Sequence, residues 1–358
     1  MGEKIYYSTP EDQLKKLISQ NLTIYDQDHA LTGLRLFGYS NLIKSYRDPY
    51  ILKSDDTIMY RDGVSFEQIS SLYFFDKALR NTVMASMQDL EEHIKEIAAN
   101  VIAQSFGVDP SSYLQYRNYQ NKRKRKERFS LNGILHTMNE ALTTDKEPIH
   151  HYMEKYGIVP PWILFKSIYF STIINYIDQF KMPQKKLMVS YLYNSEKLGL
   201  SEEALCKLMM DTLFICMDYR NMSAHGGRIY NYTSSNILRS HEIFGEDEPV
   251  PIRGLSKLLF VLSLFEYKNP YSRLSRTLDV ELNRHCKIFP QDITYLGQIL
   301  NVNITQEDRV WISENSNKFH SLQHCSGLEN PKRISLKDAQ QAGYIPCKRC
   351  CNTDKFKD

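Results

Sequence analysis

Between Leu72 and Val101 the chain carries an unbroken apolar stripe: Leu72, Phe75, Leu79, Val83, Met87, Leu90, Ile94, Ile97 and Val101 follow one another at spacings of three and four residues. That period belongs to one face of an α-helix, and Gly107 with Pro110 supplies its stop. A helix this long cannot bury its stripe alone, so other helices must cover it. Their signals are present. Thr9-Pro10-Glu11-Asp12 reads as a capped helix start, and Pro160-Pro161 opens a predicted core helix from Trp162 to Phe180. Ser201 with Glu202 and Glu203 starts a further helix whose inward stripe runs Leu205, Leu208, Met209, Thr212, Leu213, Cys216 and Met217, until Gly226-Gly227 stops it. One more apolar helix is predicted over roughly residues 255 to 267, while residues 33 to 51 lack a clean period and read as loop with short helix. The fold class is all-α, without internal repeats.

At 358 residues the chain can bury a full core. Its formal charge is only +3, from 45 basic against 42 acidic residues, so any polyanion partner has to be argued from local clusters. No signal-peptide pattern follows Met1, and Lys166, Asn175 and Asp178 interrupt the most apolar stretch; the expectation is a soluble cytoplasmic protein with no membrane span. Seven cysteines, four of them crowded between Cys325 and Cys351, argue for a metal site rather than a disulfide framework.

Arg220-Asn221-Met222-Ser223-Ala224-His225 closes the helix that starts at Ser201. Asn221 and His225 are four apart and share a helix face, whereas Arg220 and His225, five apart, diverge by about 140° on a regular helix. A stop at the glycine pair frees His225 to swing toward Arg220, and Asn221 is placed to hold the imidazole in one tautomer. RNA brings its own nucleophile, the 2′-OH, so cleaving it needs a group that moves protons and a cation on the phosphate, which histidine and arginine supply. The spacing alone is not specific, since cations at a helix end commonly bond the last carbonyls and nothing more.

The surrounding text is more specific. Met217-Asp-Tyr-Arg-Asn-Met-Ser-Ala-His-Gly-Gly-Arg-Ile-Tyr-Asn231 resembles the R-N-x-x-A-H-x-x-R-x-x-N signature of the Abi-like (abortive phage infection) family, a branch of the HEPN ribonucleases. Phe75-Asp-Lys-Ala-Leu-Arg80, Leu90-Glu-Glu-His-Ile-Lys95 and Pro160-Pro-Trp162 resemble that family in the same order, so the resemblance covers roughly residues 10 to 265. It implies a HEPN-type helical bundle with additional helices over residues 1–300. It also implies metal-independent endoribonuclease activity with Arg220 and His225 in cleavage, Asn221 as polar helper and Glu91 at the acidic position of the long helix. Arg228 and Asn231 match family positions without an assigned role, and Arg228 is counted with the RNA-binding cations. A homodimer, and control by an antitoxin protein or a noncoding RNA, are further expectations. Toxins of this type silenced by a partner nucleotidyltransferase carry Tyr two residues after the His; here that position is Gly227, which speaks against that control. The alternative is a non-catalytic RNA-binding or scaffold protein on the same frame, with His225 only capping; a DNA-directed factor is a third and weaker reading.

Two further clusters stand out. Six of the seven residues from Lys122 to Arg128 are basic, namely Lys122, Arg123, Lys124, Arg125, Lys126 and Arg128, and they follow Tyr113, Tyr116 and Tyr119. Such a run can track an RNA backbone with stacking beside it, or be a solvated face. At the other end, His320, Cys325, Cys347 and Cys350 have the spacing of a closed tetrahedral zinc site. His324 could stand in for His320, and Cys351 for Cys350. The stretch from Phe319 through Ala339-Gln-Gln-Ala-Gly-Tyr-Ile-Pro-Cys347-Lys-Arg-Cys350 resembles the zinc module of Ada-type repair proteins and some nucleases, and implies a small structural zinc module over residues 301–358.

Overall fold

Ser65 accepts from the backbone N–H of Gln68 at 3.1 Å and so opens the long helix, which runs Phe66–Phe106 and ends where Gly107 takes a φ of +86°. The computed structural model describes residues 6–54, 57–238, 253–304, 309–321, 325 and 328–351. In chain order the helices are α1 (Pro10–Ser19), α2 (Gln27–Phe37), α3 (Phe66–Phe106), α4 (Pro110–Tyr113), α5 (Leu131–Leu142), α6 (Ile149–Tyr156), α7 (Pro161–Leu164), α8 (Phe170–Asp178), α9 (Met182–Leu192), α10 (Ser195–Leu198), α11 (Glu202–Ala224), α12 (Gly254–Leu264), α13 (Asn269–Ile288), α14 (Ile293–Leu300) and α15 (Leu336–Gln341). The strands are β1 (Ile51–Ser54), β2 (Thr57–Tyr60), β3 (Arg309–Ile312), β4 (Lys318–Phe319), β5 (Lys332–Ser335) and β6 (Ile345–Pro346). The expected mostly helical fold is what forms, and none of the described helices is long and apolar enough to cross a membrane.

The chain divides into two compact units, one of residues 1–79, 277–321 and 327–358, the other of residues 80–276 with 322–326. In the first, β1 pairs antiparallel with β2, β3 antiparallel with β5, and β4 parallel with β6. Its core holds a polar knot. Asp292 accepts from the Tyr50 hydroxyl at 2.7 Å, the Gln68 amide at 2.8 Å and His285 Nε2 at 2.8 Å, while Ser71 Oγ meets His285 Nδ1 at 2.9 Å. The Ser71–His285–Asp292 order imitates a hydrolytic triad, but Ser71 lies inside α3, where helical bonding occupies the backbone N–H groups that an oxyanion hole needs. The knot is a satisfied buried network.

In the second unit α8 is the central element, with Phe170, Ile173, Ile174, Tyr176 and Ile177 buried, and α11 packs on α8, α9 and α12. Two expectations need correction here. The stretch Trp162 to Phe180 is not one helix: α7 gives way to a 3-10 turn, and Ile168 and Tyr169 are extended before α8 begins. Phe165 and Ile168 are buried and Tyr169 is exposed at this break. The helix predicted to reach residue 267 stops at Leu264; Phe265 turns extended and stacks on Tyr193 with ring centroids 5.3 Å apart.

Candidate active site

Ser201 caps α11 by accepting from the Ala204 N–H at 3.2 Å, and the helix delivers the motif at its far end. It stops at Ala224, with His225 as the C-cap residue. Gly226 has a φ of +70°, which favours glycine. At Gly227 a Cβ would lie 1.9 Å from Met222 Sδ and 3.0 Å from the Met222 carbonyl oxygen, so a side chain there would displace the Met222 thioether and crowd its carbonyl. Arg80 on α3 donates to the Gly226 carbonyl at 3.2 Å and ties this turn to the long helix.

His225 is exposed, and its backbone N–H donates to Asn221 O at 3.1 Å. Among the described residues the Asn221 amide forms no bond to the imidazole. The expected tautomer-fixing contact is therefore absent among the described residues, and His225 stands exposed at the C-cap. Arg220 does not reach His225 either; its Nε lies 3.6 Å from Glu91 Oε2 on α3. Glu91 in turn takes an ion pair from Lys95 at 2.8 Å, one helical turn on. Arg220 Nε is buried without a hydrogen bond, so the Glu91 contact is purely ionic. The structure thus brings Arg220 to Glu91 and leaves His225 and Asn221 apart from that pair.

The chain after the motif is pinned. Asp218 accepts from Asn236 Nδ2 at 2.7 Å and from Ser234 Oγ, Lys257 Nζ donates to the Ser234 carbonyl at 3.2 Å, and the Tyr219 hydroxyl donates to Gly254 O at 2.6 Å. These contacts hold the segment that carries the half-exposed Arg228. Reading the sequence assigned no role to Arg80, Lys95 or Asp218. Lys95, four residues past Glu91, was the one with a readable signal.

A cleft of about 930 Å³ opens beside Arg220, lined by Asp89, Glu91, Glu92, Lys95 and Glu96 of α3, by Trp162 and Phe165, and by Lys166 and Arg273. Within it Arg273 pairs with Asp89 at 2.9 Å.

The basic run is partly anchored. Lys122 pairs with Asp178 at 2.8 Å and Lys124 with the other carboxylate oxygen, while Arg123, Arg125, Lys126 and Arg128 are exposed. Burial alone would raise the Asp178 carboxyl, but the two lysine hydrogen bonds outweigh it and hold its pKa below the ordinary value. Burial and the neighbouring Lys122 pull the buried Lys185 ammonium down to about 8. Tyr113 and Tyr119 are core residues, the first donating to Val159 O at 2.7 Å and the second bonded to Tyr176, so of the three tyrosines only Tyr116 is exposed beside the run.

At the C-terminal end, one ligand atom each from His320, Cys325, Cys347 and Cys350 falls within 4.8 Å of the others, a cluster that could hold a metal ion. A tetrahedral zinc site sets a thiolate sulfur and an imidazole nitrogen about 3.5 Å apart, and the Cys350 Sγ to His320 Nδ1 separation is 3.6 Å. Cys351, the alternative to Cys350, directs its thiol to the Phe319 carbonyl at 3.6 Å, with its sulfur 3.9 Å from Cys350 Sγ. The alternative ligand His324 lies outside the described residues.

Residues 32–231 match the model of the Abi-like protein family, more than half of the chain and inclusive of α3, α11 and the motif. The chain belongs to the Abi-like family, whose name refers to abortive phage infection. No curated protein and no solved structure matches it.

Proposed function

We propose that this Abi-like protein is a metal-independent endoribonuclease of the HEPN type that acts in phage defence, as a toxin restrained by a protein or noncoding RNA until needed. The observation that carries the reading is the end of α11. An exposed histidine sits five residues from an arginine that lines a cleft. His225 would take the proton from the 2′-OH, and Arg220 would hold the phosphate as negative charge develops. Glu91, itself neutralised by Lys95, would keep the guanidinium oriented until phosphate displaces it.

One histidine cannot act as base at the attacking oxygen and as acid at the leaving oxygen in the same step. A homodimer that sets two motif ends across a twofold axis supplies both, with two arginines on the phosphate between them. The products would be a 2′,3′-cyclic phosphate and a 5′-OH, and DNA, lacking the 2′-OH, would not be cut. The test compares wild type with His225→Ala on RNA in magnesium-free buffer. Cleavage by the first and not by the second is expected; strict dependence on added divalent ion, or full activity in the variant, refutes the mechanism.

One observation favours the alternative of a non-catalytic RNA-binding protein: His225 stands as the C-cap and does not touch Arg220. That reading expects RNA binding without products from either protein. The four-residue cluster is proposed to hold a structural zinc. Protein donors would fill all four positions of a bound zinc, which would leave no place for a reacting water.

A further inference from the structure

The cleft beside Arg220 has more chemistry than phosphate binding requires. Its ion pairs account for Asp89 with Arg273, and for Glu91 with Lys95 and Arg220. Glu92 and Glu96 then remain, both exposed and without a partner among the described residues. They are four apart on α3, so two like charges share one helix face, an arrangement that is unfavourable for a helix when nothing relieves it. The same cleft is lined by the half-exposed Trp162 of the short helix α7, by the buried Phe165 and by the exposed Lys166. An aromatic plate, free carboxylates and a neighbouring arginine make a set of complementary contacts for one kind of ligand. That ligand is flat, carries N–H donors on one edge, and is attached to a phosphate.

We infer that the Trp162–Glu92–Glu96 cleft is a nucleobase pocket that selects guanine in single-stranded RNA, with the attached phosphate on Arg220. The inference rests on the ribonuclease reading for its choice of substrate. Unpaired bases are recognised by stacking on aromatic side chains and by hydrogen bonds to their Watson–Crick edge. Guanine offers two adjacent donors, N1–H and the 2-amino group, which one carboxylate accepts together. Adenine and cytosine offer an amino group beside a ring acceptor, which a carboxylate repels, and uracil offers a single N–H. Charge-assisted pairing thus ranks guanine first.

The test uses binding, not cleavage. Fluorescently tagged trinucleotides with 2′-O-methyl riboses, which cannot be cut through the 2′-oxygen, are titrated into the full chain and followed by anisotropy. The guanine-centred trinucleotide UGU is expected to bind about tenfold more tightly than UUU. Trp162→Ala should weaken both about tenfold, in keeping with the loss of one base stack, while Trp162→Phe, which keeps a ring, should bind within a few-fold of wild type. Glu92→Gln with Glu96→Gln should erase the difference between UGU and UUU. Equal binding of the two by wild type, or an unchanged affinity in a folded Trp162→Ala, overturns the pocket. Cleavage of ordinary RNA is scored separately. Guanine preference in a protein that cuts nothing would sink the ribonuclease reading and leave the pocket standing; cleavage without preference would do the reverse.

Discussion

Asp178 sits at the end of the central helix α8 and is the counter-charge for a lysine cluster, so its replacement by Asn has a calculable effect. The side chain is 13% exposed and accepts from Lys122 and Lys124, with Lys185 Nζ 3.7 Å from the same carboxylate. Lys124 is nearly as buried as Asp178, and a hydrogen bond to a charged group of that kind is worth about 1.5–3 kcal/mol net. Lys122 is 41% exposed, and its pair contributes less than about 1 kcal/mol after screening. Asp178→Asn should therefore destabilise the fold by about 3 kcal/mol, a fall in Tm of about 6–12 °C for a unit of this size. The pH dependence has a definite sign. The folded pKa of Asp178 lies below the unfolded value near 3.8, so its contribution is complete above that value and is lost as pH falls through the folded pKa. Urea unfolding of wild type and variant should then give a gap that narrows below about pH 4, as far into acid as the wild type stays folded. A gap under 1 kcal/mol at pH 7, or one that does not narrow in acid, refutes the assignment of Asp178 as the ionised hub.

Three other outcomes are expected. Elemental analysis of protein purified without chelator should find about one zinc per chain, and Cys347→Ser should lose it while circular dichroism keeps the helical signal. Neutralising Arg123, Arg125, Lys126 and Arg128 together should weaken RNA binding for all sequences alike and flatten the salt slope by about 0.7 for each phosphate that no longer meets a cation; an unchanged slope assigns them to a solvated face. Arg80→Ala, which frees the Gly226 carbonyl and loosens the turn under His225, should lower kcat with little change in KM for short RNA, and Arg80→Lys should recover part of the activity.

The helices that carry the site were legible because each is written in local terms. The stripe from Leu72 to Val101 has a helical period, Ser201 is a cap, and the Gly226-Gly227 pair is a stop whose two glycines fail differently when replaced, one through φ and one through Met222. What was not legible depended on competition between distant groups. Trp162 to Phe180 reads as one apolar helix, yet the chain turns extended at Ile168 and Tyr169 between two helical segments, a break that the apolar run does not announce. The basic run reads as a free cationic face, yet Asp178, more than fifty residues on, takes two of its lysines.

The same distinction governs the motif itself. Spacing along α11 suggests a closed Arg220–Asn221–His225 unit, because sequence shows only neighbours on one helix. The fold instead ties Arg220 to Glu91 and the turn after His225 to Arg80, both on α3 and both more than a hundred residues away. A residue that must grip a transient anion gains from such an arrangement. A carboxylate within 3.6 Å holds the guanidinium in place, yet forms no hydrogen bond through Nε that an incoming phosphate would have to break. His225, the proton acceptor of the proposed mechanism, is left exposed at the end of its helix. The long helix therefore does more than supply core: through Arg80, Glu91 and Lys95 it fixes where the charge of α11 is presented, and through Glu92 and Glu96 it lines the cleft next to that charge.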